Sequence, residues 1–192
     1  MNLRLTTPPA LEPVTLTEAK AWLRVDGEEE DVLILGLIQA ARSYVEDFTR
    51  RALVSQTWAL ALDRFPCTRE ITLPRPPLVS VSSVEYIDSD GATQTLSADD
   101  YHVDARSEPG RVVLRATSSW PAVDCQPNAV VVTYVAGYGT PSQVPQGIKT
   151  AIRWMIGHWF RHRAHVNIGN IVNQIPDTTD SLLWQFRVPV IA

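Results

Sequence analysis

The stretch YVAGYGTPSQVPQGIK, Tyr134 to Lys149, ends a run of β-branched residues, turns through Gly137 and Gly139, and enters a helix. Strand, glycine turn and helix start is also the layout that holds a phosphate. A phosphate loop needs converging backbone N–H groups and usually a lysine just after its last glycine. Here Thr140 and Pro141 follow Gly139, and Pro145 offers no N–H at the first helical position. The third glycine of a dinucleotide fingerprint is also missing. The glycines are therefore read as positions of positive φ where the chain leaves a sheet. The hydrophobic period changes here from 2 to 3.6, so a β-rich region meets a helical one.

Upstream of that turn the chain reads as short strands. In VSQTWALAL, residues 54–62, Trp58, Leu60 and Leu62 alternate with smaller or polar residues. ITL (71–73), VSVSSVEYI (79–87), YHV (101–103), RVVLR (111–115) and AVVVTYV (129–135) follow. Asp88-Ser89-Asp90-Gly91 predicts a hairpin turn before TQTL, and Pro109-Gly110 and Trp120-Pro121 mark further turns.

Further toward the start the period is helical. Thr15 and Glu18 form a capping-box pattern, opening a short helix with Ala19, Trp22 and Leu23 on one side. Asp26-Gly27 stops it. Glu28, Glu29, Glu30 and Asp31 then suit the positive end of a long helix. Its inward stripe is read as Leu33, Leu37, Ala41, Tyr44, Val45 and Phe48. Residues 1–14, with three prolines, read as an extended arm.

Downstream, Ile148, Ile152, Met155, Ile156 and Trp159 line one face of a helix running to about Arg163. A polar joint and a short helix from about Thr179 to Phe186 precede the ending RVPVIA. The expected fold is α+β: a helical core from the two chain ends, with an antiparallel β-meander or small sandwich inserted. The divisions are 1–53, 54–136 and 137–192, with 137–192 packing against 15–53.

Composition narrows the function classes. Of 192 residues, 45% are hydrophobic and 20% charged, an ordinary globular balance. Neither a membrane span nor the apolar core of a signal peptide is visible, and a cytoplasmic site of synthesis is expected. Cys67 and Cys125 have no metal-ligand spacing and read as free thiols. A net charge of −4 argues against tight binding of DNA through its phosphates.

No catalytic constellation emerges. Gly-x-Ser-x-Gly is absent, and Asp99-Asp100 reads as solvated loop. His158, His162 and His165 recur at helical spacing, and a metal-dependent enzyme built on them is one alternative. A zincin would need Glu where Trp159 stands, so no metal, cofactor or catalytic residue is expected. Trp184, near an apolar chain end, marks a partner site.

Taken in order, LTLTEAKAWLRVD, EEEDVLILGLIQAARSYVEDFTRRAL and SQTWALALDRFP resemble the opening of tailed-phage head–tail connector (adaptor) proteins. LPRPPLVSVSSVEYIDSDGATQTL, VVVTYVAGYG and VPQGIKTAIRWMIGHWFRHR continue the resemblance over about residues 14–165. LLWQFRV matches more loosely. Related proteins occur in prophages and gene transfer particles.

The resemblance implies a non-enzymatic virion protein at the head–tail junction. Such a protein forms a ring, typically a dodecamer, beneath the portal protein. It extends the DNA channel without gripping DNA, and it meets a tail-side stopper or connector protein. It also implies a portal-docking tail at Trp184, Phe186, Arg187, Val188 and Pro189. A ring needs head-to-tail subunit contacts, for which Gln39, Arg42, Ser43 and Glu46 on the long helix are the candidates. A DNA-packaging accessory that binds DNA directly is the other alternative.

Overall fold

The computed structural model describes residues 2–162 and 177–189. Its contacts divide the chain into two compact units. One comprises residues 1–10 and 55–139, and the other residues 11–54 and 140–192.

The first unit is β-rich. Its strands are β1 (Asn2–Thr7), β2 (Gln56–Leu62), β3 (Glu70–Thr72), β4 (Leu78–Ile87), β5 (Thr93–Thr95), β6 (Tyr101–Asp104), β7 (Arg111–Leu114) and β8 (Val130–Ala136). A five-stranded sheet runs in the order β1-β2-β8-β4-β5, and a three-stranded sheet runs β3-β7-β6. Every pairing is antiparallel. A simple meander does not form, because β8, last in the chain, lies between β2 and β4. Val130, Val132, Tyr134 and Ala136 of β8 are all buried, and a central position gives them neighbours on both edges. Alternation shows which side of a strand is apolar but not which strand lies beside it.

The expected arm contains β1, paired with β2 from Asn2 opposite Ala61 to Thr7 opposite Thr57. Leu3 and Leu5 carry a short alternation there, which Pro8, Pro9 and Pro13 obscure in the sequence.

Two turns follow the expected chemistry. Asp88 accepts the backbone N–H groups of Asp90 and Ala92 at 3.0 and 2.9 Å, and Gly91 takes φ +79°. Gly137 and Gly139 have φ of +133° and +109°. Gly137 N–H donates to Pro77 O, and Thr140 N–H donates to Gln143 Oε1. These donors of the glycine turn are thus committed within the protein, which removes the cradle a phosphate would need.

The second unit is helical: α1 (Leu16–Leu23), α2 (Asp31–Thr49), α3 (Gln146–Arg161) and α4 (Asp177–Trp184). Thr15 and Glu18 make the full capping box, with Glu18 N–H donating to Thr15 Oγ1 and Thr15 N–H to Glu18 Oε2. The buried stripe of α2 is Ile34, Ile38, Ala41, Val45 and Thr49, so Leu33 and Leu37 are not its centre. VLILGLI is apolar all round, and only packing against α1 and α3 selects the inward side. On α3, Ile148, Ile152, Met155 and Ile156 are buried as expected, together with Ala151.

Candidate docking surfaces

The first surface is the end of α4. Leu183 is fully buried, and the chain then turns as Phe186 N–H donates to Leu183 O and Arg187 N–H to Trp184 O. Val188 N–H donates to Thr49 O at 2.9 Å, satisfying a carbonyl at the carboxyl end of α2. Arg51 Nε donates to Phe186 O at 2.6 Å. A Cβ on Gly147 of α3 would stand 3.1 Å from the Phe186 ring, so the ring packs closely over the glycine.

Residues 177–189 are therefore packed into the helical unit rather than free-standing. Of the expected docking residues, Val188 is buried and Phe186 and Arg187 half-buried, which leaves Trp184 and Pro189 exposed. Trp184 meets Phe48 edge-on at 5.9 Å, and the Arg187 guanidinium lies 4.6 Å over the Trp184 ring. Beside them a cleft of about 250 Å³ is lined by Arg50, Trp184, Arg187, Val188 and Pro189. A large aromatic held by a cation beside an open cleft is the composition of an interface anchor.

The second surface is the outer side of α2. Gln39 and Ser43 are exposed there. Arg42 and Glu46 are not part of it. Arg42 Nε donates to Glu12 Oε2 at 2.7 Å and its Nη1 to Glu46 Oε2 at 3.0 Å. Glu46 is buried, and its Oε1 accepts the buried N–H of Leu53 at 2.9 Å. The sequence placed both opposite the stripe 33–37–41, and rotation of that stripe turns them inward. In their place the exposed side presents Val32 and Leu35.

The third surface was not anticipated. Between α1 and α3 runs a groove of about 760 Å³, lined by Trp22, Arg24, Trp154, His158, Arg161 and His162 with smaller residues between them. Trp22, expected on the packed side of α1, is 48% exposed, and Trp154 is 38% exposed. The Trp22 indole nitrogen would lie 3.2 Å from a Cβ on Gly157, so the edge of the indole packs closely over a glycine in mid-helix. The readable signal was Trp154 lying off the Ile148–Met155 stripe.

The His158 and His162 rings are 4.8 Å apart in this groove, while His165 lies outside the described residues. Among the described residues no group of three or more His, Cys, Asp or Glu side chains could hold a metal. Cys67 and Cys125 are exposed free thiols.

Burial, and then the neighbouring His162, hold His158 below its ordinary value of 6.5. Its neutral form thus favours the folded state. That contribution is complete above about pH 6.5 and is lost as pH falls through the lower folded value. The melting temperature should fall over that interval, and His158→Gln should flatten this part of the profile. An unchanged profile in the variant would show that the ring pair plays no such role.

No helix among the described residues is long and apolar enough to cross a membrane. No curated protein matches the chain in sequence. The fold matches solved structures. One is described as "Virion of native gene transfer agent (GTA) particle", with a TM-score of 0.80 and 20% identity over 100% of this chain and 98% of that one. "Neck of empty GTA particle computed with C6 symmetry" matches with the same TM-score, identity and coverage. "Neck of native GTA particle computed with C12 symmetry" matches at a TM-score of 0.75 and 20% identity, with the same coverage. At this identity the likeness establishes a common fold. Residues 12–172 match the family model described as "Head completion protein", and on that span the chain belongs to the head completion protein family.

Proposed function

We propose that this chain is a structural connector at the head–tail junction of a phage-like particle. It forms a ring beneath the portal protein, prolongs the DNA channel and receives a tail-side protein. The observation that carries this reading is the family match over residues 12–172. A ring of twelve is supported by the C12 neck described for one protein of the same fold. The role is non-enzymatic: its working parts are exposed aromatic and cationic side chains on packed helices, which suit protein partners. The net charge of −4 suits a channel wall that DNA slides past without sticking.

In this reading Trp184, with Arg187 over its ring, is the centre of the portal-facing surface. Deleting residues 179–192 would also remove the buried Thr179, Leu183 and Val188, so point substitutions are the cleaner test. In particle-producing cells lacking the wild-type gene, filled heads without tails should accumulate. Trp184→Ala with Arg187→Ala should reproduce much of that loss while the purified protein keeps its melting temperature to within a few degrees. Normal joining in cells without the gene would overturn the connector reading.

A further inference from the structure

The groove between α1 and α3 has a chemical complement on the same chain. Among the described residues lining it there is no carboxylate, whereas Arg24, Arg161, His158 and His162 bring positive or protonatable groups around two exposed indoles. At the start of α2 the pattern is reversed. Glu28 and Glu29 are exposed, and beside them Val32 is 84% exposed, the most open large apolar side chain among those described. Each patch thus joins a charge to an apolar surface, with opposite signs.

Their placement suits a contact between copies. Lys20 Nζ on α1 pairs with Asp31 Oδ1 at 2.6 Å, fixing the amino end of α2 beside the carboxyl end of α1. Trp22, at the same end of α1, leans instead on Gly157 of α3. Positions 20 and 22 are two residues apart on a helix, about 200° around its axis. Lys20 and Trp22 therefore reach α2 and α3 from different sides of α1. Both surfaces are exposed, so each is open to the other on a neighbouring copy.

We infer that the α1/α3 groove receives the Glu28–Val32 flank of an adjacent copy, making the head-to-tail contact that builds the ring. This rests on the connector reading and names the partner for one of its surfaces. Repetition of one heterologous contact gives a closed ring when the rotation closes. The acidic residues face Arg24 and Arg161, and Val32 lies against the exposed indoles of Trp22 and Trp154. Glu28 and Glu29, exposed at the start of α2, thereby acquire a role between copies.

Charge reversal tests this in the full chain, with Cys67→Ser and Cys125→Ser to remove the natural thiols. Gly36→Cys with Ala21→Cys, exposed positions beside the flank and the groove, treated with a short bis-maleimide, should give a ladder extending beyond the dimer. Adding Glu28→Lys and Glu29→Lys, or instead Arg24→Glu and Arg161→Glu, should cut the ladder at least tenfold. Mixing these two charge variants, or combining all four substitutions in one chain, should restore it, because every contact again joins opposite signs. Raising the salt concentration should weaken the unsubstituted contact.

A ladder indifferent to charge, one that stops at the dimer, or none at high protein concentration would overturn the assignment. Circular dichroism separates these results from misfolding, since all the charged positions are at the surface. If removing the gene leaves heads without tails but the ladder ignores charge, only this contact falls and the connector reading stands.

Discussion

Replacing Glu46 by alanine should destabilise the helical unit by about 2–3 kcal/mol, because the buried N–H of Leu53 loses its acceptor while Arg42 keeps only Glu12. The carboxylate does two jobs at once. Oε2 accepts Arg42 Nη1 one helical turn away, and Oε1 accepts the buried N–H of Leu53 beyond the end of α2. The backbone carbonyl of Glu46 also accepts Arg51 N–H at 3.2 Å while Arg50 takes φ +58° to end the helix. One residue thus shapes the whole exit from α2. Glu46→Gln keeps an acceptor for Leu53, and Arg42 retains Glu12, so that variant should lose only about 1 kcal/mol. Urea unfolding at unchanged slope reads both values, and equal losses would show that charge rather than acceptor geometry carries the effect.

Tyr134→Ala should cost the β-rich unit more, about 3–5 kcal/mol, because it empties the middle of the sheet. Tyr134 is fully buried on β8, opposite Trp58 of β2 and Val81 of β4. Its hydroxyl donates to Pro74 O at 2.9 Å, and burial pushes its ionisation far above the ordinary range for a phenol. Tyr134→Phe keeps the ring and loses that bond, for about 1 kcal/mol. If alanine and phenylalanine proved equally damaging, the hydrogen bond and not the packed ring would be what holds the strand.

The candidate surfaces were legible in the sequence only in part. Trp184 could be picked out because it falls off the apolar faces that the helix and strand periods predict as core. Val188 could not be told apart from it, because its burial depends on Thr49, far away along the chain. Arg42 and Glu46 read as a wet helix face, since VLILGLI leaves two possible inward sides and the sequence offers no reason to prefer the second. The α1/α3 groove was hidden for a related reason. Trp22 is on an amphipathic helix and reads as core, and its exposure follows from where α3 packs beside it.

What the sequence determined by itself is what interactions within about four residues can decide. The Thr15–Glu18 capping box, the Asp88–Gly91 turn and the positive φ of Gly137 and Gly139 belong to that class. So does the alternation of strand and helix periods that makes the protein α+β. Only the tertiary structure decided that β8 lies between β2 and β4, and that Ile34 and Ile38 face inward. It also decided that Gly110 must be a glycine, because a Cβ there would stand 2.5 Å from Leu78 Cβ. Each of these depends on a partner distant along the chain, and local propensity carries no information about which distant surface will arrive.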